Sequence, residues 1–202
     1  QVELGERHVG DVARVHALRG QQTQALEILN MLQDLGDARS IPRFSAAARL
    51  DRIWMASLSG DLSTANRLLP LVTAEAIWKP FDTLWTFAED IDDPQIATFR
   101  YAPLSGDAMG MTAAIEAAAR KADSANRRRR VLRLQCLLAQ AHELCRRRQR
   151  ALEVLERALA TAQSLGLVRT LLDPDPRQRF DRAAIDALIA QKSSPNPLEW
   201  VP

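Results

Sequence analysis

The chain has 202 residues, 47% of them apolar and 26% charged, with a net charge of +2. This is ordinary soluble composition, long enough for one large domain or a short repeat array. No run approaches the roughly 18 apolar residues of a membrane span, and the start, Gln1-Val2-Glu3-Leu4-Gly5, has neither an initiator Met nor the apolar core of a signal peptide, so the chain reads as a piece of a longer protein.

A turn residue followed five positions later by a small or flexible one recurs along the chain. Gly20 precedes Ala25, Gly60 precedes Ala65, Gly106 precedes Met111, and Arg146 precedes Ala151. The anchors stand 40, 46 and 40 residues apart, a period that marks a helical repeat array. Aligned columns accompany them: Leu18, Leu58, Leu104 and Leu144 two before each anchor, and Leu29, Leu69, Ile115 and Leu155 nine after. Ile28, Leu68, Ala114 and Val154 lie eight after, and Leu32, Val72, Ala118 and Ala158 twelve after. Spacings of 3, 4 and 7 within each second helix trace one helical face.

Each pair is therefore an A helix, a turn and a B helix. In chain order the pattern predicts A at 7–19 and B at 22–35, then A at 43–58 and B at 62–74. Residues 77–87 form an insertion that holds Trp78, Phe81, Trp85 and Phe87 and explains the longer middle spacing. The third pair is expected at 94–105 and 108–122, with Asp93 capping its start and Pro103 kinking or ending its A helix. Asp61 and Asp107 follow their glycines as N-caps of B helices. The fourth pair is expected at 126–145 and 148–164, where Arg146 replaces the turn glycine and requires a differently closed turn or nearly merged helices. Gly166 should end the last B helix as a left-handed cap. Residues 181–190 read as a short amphipathic helix covering the open end, and 192–202 as an extended tail.

The G-x4-A step and its aliphatic columns resemble the tetratricopeptide repeat. The stretch A-L-E-V-L-E-R-A-L-A-T-A-Q-S-L-G-L-V-R-T-L-L-D, residues 151–173, is similar to the end of the sensor region in large ATP-dependent LuxR-type transcription activators of the maltose-regulon activator kind. In that family a helix of this form ends at a glycine, here Gly166, followed by an arginine and an apolar–acid step, here Arg169, Leu171, Leu172 and Asp173. Pro174 stands where family members often carry a glycine. S-L-S-G-D-L-S-T-A, residues 57–65, also looks like that family's repeats. The resemblance covers residues 7–175, and with the repeat pattern it gives an all-α fold over 1–191: a right-handed superhelix of about four antiparallel pairs with a C-terminal capping helix. It also implies a sensor that takes a small-molecule inducer or a regulatory protein, with room for self-association of the full-length protein. The runner-up is a tetratricopeptide-like interaction scaffold unconnected with transcription.

No catalytic or cofactor constellation emerges. His8, His16 and His142 fit no metal spacing, and His16 and His142 share the column four before the anchor, which argues for packing. The cluster Asp90, Asp92 and Asp93 reads as a capping loop. Cys136 and Cys145 lie nine residues apart, on opposite faces of a shared helix, so they cannot bridge and read as reduced thiols of a cytoplasmic protein. Cys145 beside Arg146–Arg148 is expected to be a buried thiol without a histidine partner. No G-x4-G-K-[ST] loop and no groove-reading module is present, so ATP hydrolysis and direct DNA binding do not reside here. The arginines gathered between 120 and 157 read as a solvated face rather than a nucleic-acid footprint, because no aromatics interleave them.

In a tetratricopeptide register the side chains six before each anchor face the concave groove: Arg14, Trp54, Arg100 and Gln140. Gly10, Leu50, Ile96 and Cys136 lie ten before, and Ala17, Ser57, Pro103 and Glu143 three before. Two arginines flanking Trp54 suit an anionic or sugar-like ligand. The alternatives are a solvated, empty groove with Trp54 packed on the 77–87 insertion, or that aromatic insertion as the binding surface.

Overall fold

A computed structural model describes residues 2–78 and 93–166, and every regular element among them is helical. In chain order these are α1 (Val2–Leu18), α2 (Gln22–Ala38), α3 (Pro42–Ser59), α4 (Leu62–Val72) and the single turn α5 (Glu75–Trp78). After the insertion come α6 (Pro94–Ala102), α7 (Ala108–Ser124), α8 (Arg128–Leu144) and α9 (Arg148–Leu165). The four pairs are α1/α2, α3/α4, α6/α7 and α8/α9. Consecutive helices pack on one another, and α6 packs against both α3 and α4. The stack therefore continues past the insertion. The expected helix at 181–190, the tail and the motif beyond Gly166 lie outside the described residues.

The turns explain why the period is regular. Gly20, Gly60, Gly106 and Arg146 all occupy the left-handed region, with φ of 79°, 75°, 110° and 58°. The amide of the next residue donates back to the carbonyl four before the anchor. Gln21 N reaches His16 O at 2.9 Å, Asp61 N reaches Ala56 O at 2.9 Å, and Arg147 N reaches His142 O at 2.9 Å. This bond closes the last helical turn and satisfies a carbonyl that the helix leaves orphaned. Arg146 thus corrects the expectation of a different fourth turn: it closes the same way. A Cβ built on Gly20 or Gly106 meets nothing within 4 Å. The turn is sterically open, so an L-residue there bears only the backbone cost of αL, about 1–2 kcal/mol. Ser40 and Asn126 play the same part between pairs, with φ of 53° and 55°.

Caps and breaks fall where the residue chemistry demands. Asp61, Asp93 and Asp107 accept bonds from the amides of Thr64, Ile96 and Gly110 at 3.1, 2.8 and 3.2 Å. Pro103 has no amide to continue α6, which ends at Ala102 and passes into a wide π-type turn over Pro103–Asp107.

The core runs along the crossings. Ala25, Ala65, Ala151, Leu29, Ile115 and Val72 are at most 1% exposed. The column two before the anchor differs from these: Leu18 and Leu144 are each 47% exposed at the turns. A close approach joins α2 to α3 at Gly36, where a Cβ would lie 2.6 Å from Ser45 Oγ and 2.7 Å from its amide nitrogen. Only glycine fits there. Ser45 Oγ turns instead to Asp37 Oδ1 at 2.6 Å, so a polar bond seals that crossing.

Candidate functional site, a polar seam along the A helices

The A helices bury polar side chains that an ordinary helix crossing would not carry. Arg43, Asp51, Arg100, Arg130, Arg133, Gln140 and His142 are all 8% exposed or less. They lie on α3, α6 and α8, and each arginine whose partners follow is held by acid, amide or aromatic groups, as burying a charge requires.

At the first two pairs the seam is an interhelical clamp. Arg14 of α1 donates from Nε to Asp51 Oδ1 of α3 at 2.6 Å, and its Nη2 lies 2.5 Å from the same oxygen. Its guanidinium also sits 5.5 Å from the centre of the Trp54 ring, within cation–π range. Gly10 makes room for the carboxylate, since a Cβ there would stand 2.8 Å from Asp51 Oδ2. Two members of the predicted groove set, Arg14 and Trp54, are therefore in contact.

Trp54 is 2% exposed and packs with Ala13, Ala17, Ala25, Leu29 and Met55. It fills the crossing of the first two pairs rather than offering an open aromatic face. Arg100 on α6 and Gln140 on α8 lie further along the stack and are buried to 4% and 6%. Of the two flanking columns, Ser57 is fully buried and donates to Ile53 O at 2.8 Å.

Several seam residues are absent from the groove register and were missed in the sequence. Arg43 lies 5.4 Å over the Trp78 ring, whose Nε1 donates to Val72 O at 2.7 Å. That places Trp78, the first aromatic of the insertion, against α4 and α3. Arg130 joins α8 to the start of α6, through Asp93 Oδ2 at 2.7 Å and Gln95 Oε1 at 2.7 Å. The available signal was a charged residue inside an otherwise apolar A-helix run, as in Leu50-Asp51-Arg52-Ile53-Trp54.

His16 and His142 share a column but not a role. His16 Nδ1 meets Gln21 Oε1 at 2.7 Å across the turn. His142 is 6% exposed, its Nε2 lies 4.0 Å from Glu116 Oε1, and its Nδ1 has no hydrogen-bond partner. The residue equivalent to Gln21 is Arg147, which cannot accept. Burial first, then Arg147 and Arg150, push the His142 pKa below its ordinary value against the pull of Glu116 and Glu153.

The two arginine runs do not form one stripe. Arg128 starts α8 and pairs with Asp123 at 2.8 Å, while Arg148 starts α9, beyond the far end of α8, and pairs with Glu143 at 3.5 Å. Seventeen residues of helix separate the two ends, about 25 Å. Neither Cys136 nor Cys145 is in a disulfide; Cys136 is buried, whereas Cys145 is only half-buried at the end of α8. Among the described residues no group of three or more His, Cys, Asp or Glu side chains could hold a metal. Asp90 and Asp92 lie outside them, and Asp93 serves as a cap. No described helix is long and apolar enough to cross a membrane.

In comparisons with known proteins, no family model, no curated protein and no solved structure matches the chain.

Proposed function

We propose that this chain is the recognition segment of a LuxR-type transcription activator, taking an inducer or a regulatory protein on its helical-repeat surface. The motif at 151–173 carries the reading. Within α9 its apolar positions Ala151, Val154, Leu155, Ala158 and Ala162 are all buried. The helix stops at Gly166 with φ 65°, as a left-handed cap. In this reading Arg14, Trp54, Arg100 and Gln140 belong to the responsive seam, in which Trp54, Arg100 and Gln140 are buried. A bound anion or polyhydroxyl group competes for the guanidiniums that clamp one A helix to the next. Such a ligand alters the parent protein only by favouring one arrangement of the stack over another.

The coding sequence on either side of this segment tests the assignment. It should encode a P-loop ATPase upstream and a helix-turn-helix downstream. Flanks with neither would leave a helical interaction scaffold and remove the link to transcription.

A further inference from the structure

The first pair carries an apolar face that nothing described covers. Val12 and Val15 of α1 and Met31 and Leu35 of α2 are 38%, 38%, 71% and 43% exposed. The sides turned toward α3 are marked by Arg14, which pairs with Asp51, and by Asn30 and Gln33, both bonded by Arg52. Helical spacing sets Val12 and Val15 about 160° and 100° round α1 from Arg14, and Met31 and Leu35 on the side of α2 away from Asn30 and Gln33, so both pairs face away from α3.

The repeat shows what this face becomes inside the stack. Forty residues on, the positions of Val12 and Val15 are Arg52 and Met55 of α3. There the first pair covers them: Met55 is 8% exposed among Ala13, Ala25 and Leu29, and Arg52 bonds to Asn30 and Gln33. The end face is thus more apolar than its covered internal counterpart. Solvated array ends are polar instead.

We propose that a second copy of the chain covers this face, through an antiparallel contact between the two α1 helices centred on Val15. The charge pattern selects that occupant. Asp11 and Arg19 are both exposed and lie four residues on either side of Val15. A two-fold axis beside Val15 sets Asp11 of each copy level with Arg19 of the other, so one self-complementary patch supplies both ion pairs. Val15 meets its own symmetry mate, and Met31 and Leu35 flank the contact. The inference does not depend on the sensor reading.

Sedimentation equilibrium of the whole chain across micromolar concentrations, at low salt, tests it. The parent should dimerise. Val15→Glu buries a charge in the contact and should raise the dissociation constant by about tenfold or more. Asp11→Arg should raise it by about threefold, and the swap Asp11→Arg with Arg19→Asp should recover parental affinity. Helix content by circular dichroism should stay unchanged in all three. A parent that is monomeric throughout would overturn the proposal and assign the face to a different protein or a preceding helix. A dimer insensitive to Val15→Glu, or a charge swap that fails to recover, would overturn it as well.

Discussion

Arg14 and Asp51 form a charge clamp between α1 and α3, at 2.5 Å, with the arginine also lying over Trp54. The carboxylate is 9% exposed and the guanidinium 20%, so removing the acid's charge takes the counter-ion from a partly desolvated arginine. Asp51→Asn should therefore destabilise the fold by about 2 kcal/mol, less than the roughly 3–5 kcal/mol of a fully buried pair. Gly10→Ala should cost a similar amount, because its methyl group intrudes on Asp51. Urea denaturation checks both, and parental midpoints would mean that the clamp does not hold the first two pairs together.

Ala65 tests the register of the repeat. It is fully buried at the crossing of α3 and α4, with Leu68 and Val72 beside it. Ala65→Leu overpacks that contact and should cost about 1–3 kcal/mol. The Arg120 side chain is 73% exposed, so Arg120→Ala should be nearly silent. Equal melting temperatures for the Ala65 variant and the parent would put the crossing elsewhere.

The turn at Arg146 offers the opposite sign. Its φ of 58° is one that glycine adopts freely and arginine does not. Arg146→Gly should stabilise by about 0.5–1 kcal/mol, since the gain in the turn outweighs glycine's greater freedom in the unfolded chain. Gly20→Ala should destabilise by about 1 kcal/mol for the same reason. Thermal melts that move both variants in one direction would contradict a shared turn geometry.

Much of the architecture was legible because short-range rules wrote it. The φ demanded by a tight turn, the aspartate that caps the next helix and the 3–4–7 aliphatic spacing are each local, and together they located all four pairs. The seam was less legible. Asp51 and Arg14 stand 37 positions apart, and no local rule pairs them. Trp54 shows the same limit: its position in the repeat register pointed to an open groove, whereas the absence of a Cβ at Gly10 and the small Ala13 and Ala17 let α1 close over it. Arg146 misled because residue identity suggested a missing turn, while the open surroundings of that turn tolerate a side chain.

His142 makes stability depend on pH. Burial holds its folded pKa below the ordinary value of 6.5, so the unfolded chain takes up the proton more readily. The contribution is whole above about pH 6.5 and declines as pH falls through that value. Burial first, then the charges of Glu116, Arg147, Arg150 and Glu153, set how far it declines. His142→Gln should flatten the slope of stability between pH 7 and 5. Arg147→Gln should give the ring the partner that Gln21 gives His16, raising its pKa. A nuclear magnetic resonance titration of the ring reads the second effect, and an unmoved pKa would refute the account of this column.

Thermal stability of the parent chain, followed against a panel of anionic and polyhydroxyl small molecules, tests the central claim most directly, namely that recognition occurs at the A-helix seam. A ligand at about 100 times its dissociation constant adds roughly 2.7 kcal/mol, which a melting curve resolves. Arg100→Met and Gln140→Leu keep side-chain volume at two buried seam positions and should fold with parental helix content. The account predicts that at least one anionic compound raises the parent's melting temperature and that both variants lose most of that shift. A verified ligand that stabilises the parent and both variants equally would contradict it.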